Sequence, residues 1–123
     1  MKNTLVKRIR GKGFGVIAAK KLKKGSLISV SPYVVIPYKE LKRFNKLKLS
    51  TYCFGCGKTA AIAMDDTSFL NHSYDPNAYC KEGDSKQRTM KFLARRDISK
   101  GEEITINYNG DPNDRRKLWF EVK

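Results

Sequence analysis

The chain reads as one small, mainly-β domain, and three observations lead there. Its 123 residues allow one core rather than two. Its apolar residues fall in short β-branched runs broken by Gly, Pro and Asn, not in long amphipathic stretches. One pattern also occurs twice: Ala18-Ala-Lys-Lys-Leu-Lys-Lys-Gly-Ser-Leu-Ile28 against Ala94-Arg-Arg-Asp-Ile-Ser-Lys-Gly-Glu-Glu-Ile104. Each copy predicts a strand, a tight turn at Lys-Gly, and another strand, because Gly supplies the positive φ such turns need.

Taken in order, Leu5–Ile9 is the first strand. A glycine cluster separates it from Gly15–Ala18. Leu27–Ile36 follows, rich in Val and Ile and bounded by Gly25 and Pro37. Tyr38–Lys46 is the best helix, with Leu41, Phe44 and Leu47 near helical spacing. Ala60–Met64 is a strand, Asp65-Asp66 a turn and Thr67–Leu70 a short helix. Asp75-Pro76-Asn77 is a turn. Ala78–Cys80, Thr89–Ala94 and Ile104–Tyr108 complete the strands. No linker divides the sequence, so residues 1–123 form a single domain.

The net charge is +14, with 26 Lys and Arg against 12 acids. It is unevenly placed. Residues 1–58 hold 15 Lys and Arg and one acid, Glu40, while residues 59–123 hold 11 of each sign. Such a field fits a polyanion or an acidic partner, and a nucleic-acid contact through residues 1–58 is one expectation. A solvated lysine-rich surface is the plainer alternative, since Lys outnumbers Arg 18 to 8 and specific phosphate grips favour Arg. No apolar run reaches membrane-spanning length, so no membrane association is expected. No secretory h-region follows the basic N-terminus. With an odd count of three cysteines, buried thiols in a reduced cytoplasmic compartment are expected, nuclear or host-chromatin targeting being left open. Cys53-x-x-Cys56 with Cys80 offers three of the four ligands that structural zinc needs, so no metal is expected.

Three segments could carry chemistry. Gly11-Lys-Gly-Phe-Gly15 lets backbone turn sharply or approach a ligand closely, but it is neither a dinucleotide fingerprint nor a P-loop. Phe69-Leu-Asn-His-Ser-Tyr-Asp-Pro-Asn77 offers amide and imidazole groups for paired hydrogen bonds. Gly101-Glu-Glu-Ile-Thr-Ile-Asn-Tyr-Asn-Gly110 ends a strand on Tyr108. Singly, these read as a turn, an ordered polar loop and a core tyrosine.

In this order and together, Gly-x-Gly, Asn-His-Ser-x-x-Pro-Asn and Gly-Glu-Glu-Ile-x-x-x-Tyr resemble the SET domain family of S-adenosylmethionine-dependent protein lysine methyltransferases. The resemblance runs from about Leu5 to Phe120. The size, and the Ile-Asn-Tyr-Asn-Gly-Asp-Pro ending, are similar to small viral and bacterial members. It implies a β-clip fold of several small sheets, one or two short helices and a knot-like C-terminal segment that brings the middle and final motifs together. It further implies that Lys12, Gly13, Phe14 and Gly15 contact the methionine part of the cofactor, that Asn71 and His72 bind it too, and that Tyr108 sits beside the transferred methyl. Tyr52 matches a tyrosine lining the lysine channel. Trp119 and Phe120 match aromatic residues that cover the adenine or close the channel. Two departures stand out: Tyr74 where many members have Cys, and Asn107 where many have Asp.

The implied reaction is an in-line displacement by a neutral lysine amine on a sulfonium methyl, needing no metal. A free Lys ionises near pH 10.4, and an apolar channel lowers that value. Alignment of the reactants can contribute roughly 7–11 kcal/mol. The basic half makes a basic tail a poor match, so the expected substrate is a protein lysine in acidic or nucleic-acid-bearing surroundings. The alternative is a catalytically weak SET scaffold acting as a basic nucleic-acid- or protein-binding module. Small members can dimerise, which allows a homodimer.

Overall fold

The computed structural model describes residues 2–44, 46–47, 53–54, 61–108, 112–113 and 115–116. Among the described residues, nine strands form two sheets. One has the order β1-β2-β9-β6, from β1 (Thr4–Ile9), β2 (Gly13–Ala18), β9 (Glu103–Ile106) and β6 (Asn71–His72). The other has the order β4-β5-β3-β8-β7, from β4 (Cys53–Phe54), β5 (Ala61–Ala63), β3 (Leu27–Val35), β8 (Thr89–Ala94) and β7 (Ala78–Glu82). All pairs are antiparallel except β6 with β9. This is the several-sheet, mainly-β architecture the sequence predicted.

The core lies where the inward faces meet. Val16 and Ala18 of β2, Ile28 of β3, Met90, Phe92 and Ala94 of β8, and Ile104 and Ile106 of β9 are buried together, with Leu22, Leu70 and Ile98 from the connections. Alternation along β8 is plain: Met90, Phe92 and Ala94 point in while Lys91 points out. Burying Phe92 completely removes its ring from water, a gain of about 1.5–3 kcal/mol.

The repeated pattern proves to be a pair of turns related by approximate two-fold symmetry. Leu22 and Ile98 form an antiparallel bridge, each N–H donating to the other's carbonyl at 2.8 and 2.7 Å. The Gly25 N–H donates to the Ala94 carbonyl and the Gly101 N–H to the Ala18 carbonyl, both at 2.8 Å. In each copy the turn closes on a Lys-Gly pair, with Ser26 N–H to the Lys23 carbonyl and Glu102 N–H to the Ser99 carbonyl, both 3.0 Å. Gly25 and Gly101 have φ of 84° and 85°, the third-position conformation of a type II turn.

Several boundaries differ from expectation. The Tyr38–Lys46 helix is a 3-10 turn, Tyr38–Glu40, followed by a single α turn, α1 (Leu41–Phe44). Phe44 is buried, but Leu47 is 54% exposed, so the third apolar position does not hold a longer helix on the core. The final strand ends at Ile106, leaving Tyr108 just beyond it. Asp65 caps a 3-10 turn, Asp66–Phe69, by accepting from the Thr67 N–H at 2.9 Å. Cys80 is disulfide-bonded rather than a free thiol. Three cysteines in one chain gave no pairing pattern from which to foresee that. Among the described residues, no cluster could hold a metal ion and no helix is long and apolar enough to cross a membrane.

Candidate functional site

The site is built where β2, β9 and β6 lie side by side. The hairpin from β1 to β2 closes with the Lys12 N–H on the Ile9 carbonyl at 3.0 Å, and Gly11 and Gly13 adopt φ of 79° and 82°. These conformations would strain any L side chain. They swing Lys12 to the inner side and leave the Phe14 ring half exposed, with the Arg8 guanidinium 5.0 Å over it. Gly15 has a different reason. A Cβ there would stand 2.5 Å from Ile9 Cγ1, 2.7 Å from Asn71 Nδ2 and 2.9 Å from Glu103 Oε2. No side chain fits without displacing all three.

β6 contributes two residues and, by strand alternation, sends them opposite ways. It pairs in parallel with β9, Asn71 beside Thr105 and His72 beside Ile106. The Asn71 amide donates to Glu103 Oε2 at 2.7 Å and to the Phe14 carbonyl at 3.2 Å. It thereby ties the glycine segment to the middle motif. Lys12 Nζ donates to the other Glu103 oxygen, Oε1, at 2.8 Å. The Glu103 carboxylate is therefore the hub of this half of the site. Sequence reading passed over it, although it stood within the Gly101-Glu-Glu motif. The signal was a carboxylate two positions after a tight turn on a strand adjoining the glycine segment.

His72 turns the other way, into the interior. Its Nδ1 accepts from the Tyr108 N–H at 2.9 Å, so Nδ1 is unprotonated and the neutral ring carries its proton on Nε2. Burial holds its pKa below the ordinary value. The ring meets Tyr74 and Tyr108 edge-on, with centroids 4.4 and 5.3 Å away. Its side chain thus positions the final motif. The Tyr108 hydroxyl donates to the Leu70 carbonyl at 2.5 Å. That places the phenol proton on a backbone carbonyl.

The loop between β6 and β7 is locked by Asn77. Its Oδ1 accepts from the Thr105 N–H at 2.9 Å and its Nδ2 donates to the Glu103 carbonyl at 2.8 Å. A buried amide thus continues the pairing of β9 where β6 stops. The C-terminal segment reaches this loop: the Tyr74 hydroxyl donates to the Arg116 carbonyl at 2.9 Å, and Arg95 donates to Asn113 Oδ1 at 3.0 Å.

The expected site residues Lys12, Gly13, Phe14, Gly15, Asn71, His72 and Tyr108 converge around these three strands. Tyr52, Trp119 and Phe120 lie outside the described residues, as do Cys56 and most of the segment expected to thread in a knot-like way.

Comparison with known proteins bears on this arrangement. The SET domain family model matches residues 13–109. "Putative histone-lysine N-methyltransferase 1" of Plasmodium falciparum is 29% identical over 92% of this chain, and Histone-lysine N-methyltransferase SUV39H1 of Xenopus laevis is 27% identical over 80%. The chain spans only 2% and 27% of those two relatives. Both are eukaryotic, which lends no support to a bacterial affinity. A crystal structure titled as a "putative histone methyltransferase" from Plasmodium falciparum superimposes with a TM-score of 0.72 at 26% identity, covering 88% of this chain and 94% of that one. Gly13, Asn71, His72, Glu103 and Tyr108 all fall within the matched span, on a fold shared with that structure, and the chain belongs to the SET domain family.

Proposed function

We propose that the protein transfers a methyl group from S-adenosylmethionine to the side-chain amine of a protein lysine. The observation that carries this is the parallel pairing of β6 with β9, which brings Asn71, His72 and Tyr108 to one place beside the glycine segment. Relatives named as histone-lysine N-methyltransferases support the same class of activity.

The residues suit the cofactor. Its amino-acid end bears a carboxylate and an ammonium, and this half of the site offers the Lys12 ammonium and the Glu103 carboxylate side by side. Gly13 leaves open space where a side chain would stand, so the backbone can come close to a bound molecule. Bound S-adenosylmethionine supplies a methyl group activated by its sulfonium charge. Lys12, Asn71 and the Phe14 backbone hold the amino-acid end. Tyr108 accepts a hydrogen bond from the incoming amine and orients its lone pair. It is not a general base, because its hydroxyl proton is committed to the Leu70 carbonyl and a phenol ionises near pH 10.

The substrate is a lysine in acidic or nucleic-acid-bearing surroundings, since the +14 charge repels a basic tail. Calorimetry with S-adenosylmethionine, followed by mass spectrometry of a proteome extract incubated with protein and labelled cofactor, tests the proposal. Micromolar binding and methylated lysines are expected. Absence of cofactor binding at millimolar concentration refutes it.

A further inference from the structure

We infer that the paired Lys-Gly turns form a docking surface for the phosphate backbone of duplex nucleic acid. Lys20, Lys21, Lys23 and Lys24 from the first turn and Arg96 and Lys100 from the second are all exposed. The antiparallel sense of the Leu22–Ile98 bridge sets Lys20 towards Lys100 and Lys24 towards Arg96. Like charges placed opposite one another repel; Arg96 alone of these has an acid within reach, its Nη1 lying 3.4 Å from Asp75 Oδ1. Among the described residues, none of the five lysines has an ion-pair partner. Residues 18–28 and 94–102 carry seven Lys and Arg against two acids, Asp97 and Glu102, whose carboxylates accept from the Lys24 N–H at 2.8 Å and the Ser99 N–H at 3.0 Å. A row of phosphates relieves this repulsion.

The composition favours a duplex over a single strand. Residues 18–28 and 94–102 contain no aromatic side chain, so the two turns themselves offer no platform for stacking bases. Lysines are point charges suited to phosphate contact without base reading. The surface draws on both halves of the sequence, including the half whose net charge is zero. It lies at the Ala18 end of β2 and the Glu103 end of β9, about 17 Å along the strand from Gly13 at 3.3 Å per residue. Occupancy there leaves the Tyr108 end of the candidate site open, so a bound duplex holds the protein beside lysines of proteins on the same nucleic acid.

The test is fluorescence anisotropy with a labelled duplex of about two turns across a salt series. The variant Lys20→Glu/Lys24→Glu/Lys100→Glu draws on both turns, and Lys81→Glu/Lys86→Glu/Lys91→Glu makes the same charge change on β7, β8 and their connection. The first variant is expected to weaken binding at least about tenfold and to cut the slope of log affinity against log salt by about 3. The second should weaken binding much less. Equal loss in both variants overturns the assignment in favour of net charge alone. So does equal competition by a poly-glutamate of matched charge, or tighter binding of a single strand. S-adenosylmethionine affinity, measured on the same variants, should be unchanged. This readout does not depend on methyl transfer, so failure here leaves the proposed activity standing, and the reverse.

Discussion

Replacing Glu103 by Gln should loosen the cofactor end of the site without unfolding the protein. The carboxylate accepts Lys12 Nζ at 2.8 Å on one oxygen and Asn71 Nδ2 at 2.7 Å on the other. An amide keeps a single acceptor and turns an N–H2 group towards a second donor. One charge-assisted bond is lost, worth about 1.5–3 kcal/mol. The Lys12 and Glu103 side chains are 21% and 19% exposed, so water recovers part of that and the lower end applies. About 1.5–2 kcal/mol corresponds to roughly a tenfold to thirtyfold loss of S-adenosylmethionine affinity. Calorimetry reads this directly. Turnover at saturating cofactor should fall much less than the affinity, because Tyr108 is held by His72 and Leu70 rather than by Glu103. A double-mutant cycle with Lys12→Met should return a coupling of about 1 kcal/mol. A folded Glu103→Gln protein with wild-type affinity, or a cycle with no coupling, refutes the argument that this carboxylate organises the site.

Tyr108→Phe removes the acceptor oxygen but keeps the ring on the core, so turnover should drop at least about tenfold with cofactor affinity nearly intact; full activity would contradict the assigned role. Gly15→Ala forces a Cβ into Ile9, Asn71 and Glu103 and should cost about 1–3 kcal/mol in chemical denaturation, with cofactor binding lost in parallel. The His72 pKa is lowered by burial, so between that lowered value and the ordinary 6.5 the unfolded chain holds more protons than the folded one. Stability therefore rises with pH across this window, is complete above about 6.5 and declines as pH falls below it. Melting of wild type against His72→Gln at pH 7.5 and pH 5 checks the sign; an equal pH dependence in both removes His72 as the source.

Much of this protein was legible from local chemistry. Short β-branched runs punctuated by Gly and Pro mark strands because such residues fit a pleat and such breakers end it. The Lys-Gly repeat predicted turns because only Gly is at ease at φ near 84°. The candidate site residues rest on the resemblance of three ordered motifs to the SET domain family, since singly those segments read as a turn, a polar loop and a core tyrosine. Charge and its asymmetry were likewise a matter of counting.

What the sequence could not decide was which groups meet. Glu103 was one acid among twelve until β9 settled between β2 and β6 and set its two oxygens against Lys12 and Asn71. His72 lies in the motif that the resemblance assigns to cofactor binding, and tertiary packing decides where its ring goes: inward, with Nδ1 accepting from the Tyr108 N–H. The two Lys-Gly turns were separate echoes until the Leu22–Ile98 bridge joined them and merged lysines from a basic half and a neutral half into one surface. Local conformation follows from near neighbours in the chain. Hydrogen-bond partners and charge neighbours depend on strand order, which is set only when the whole apolar set is buried at once.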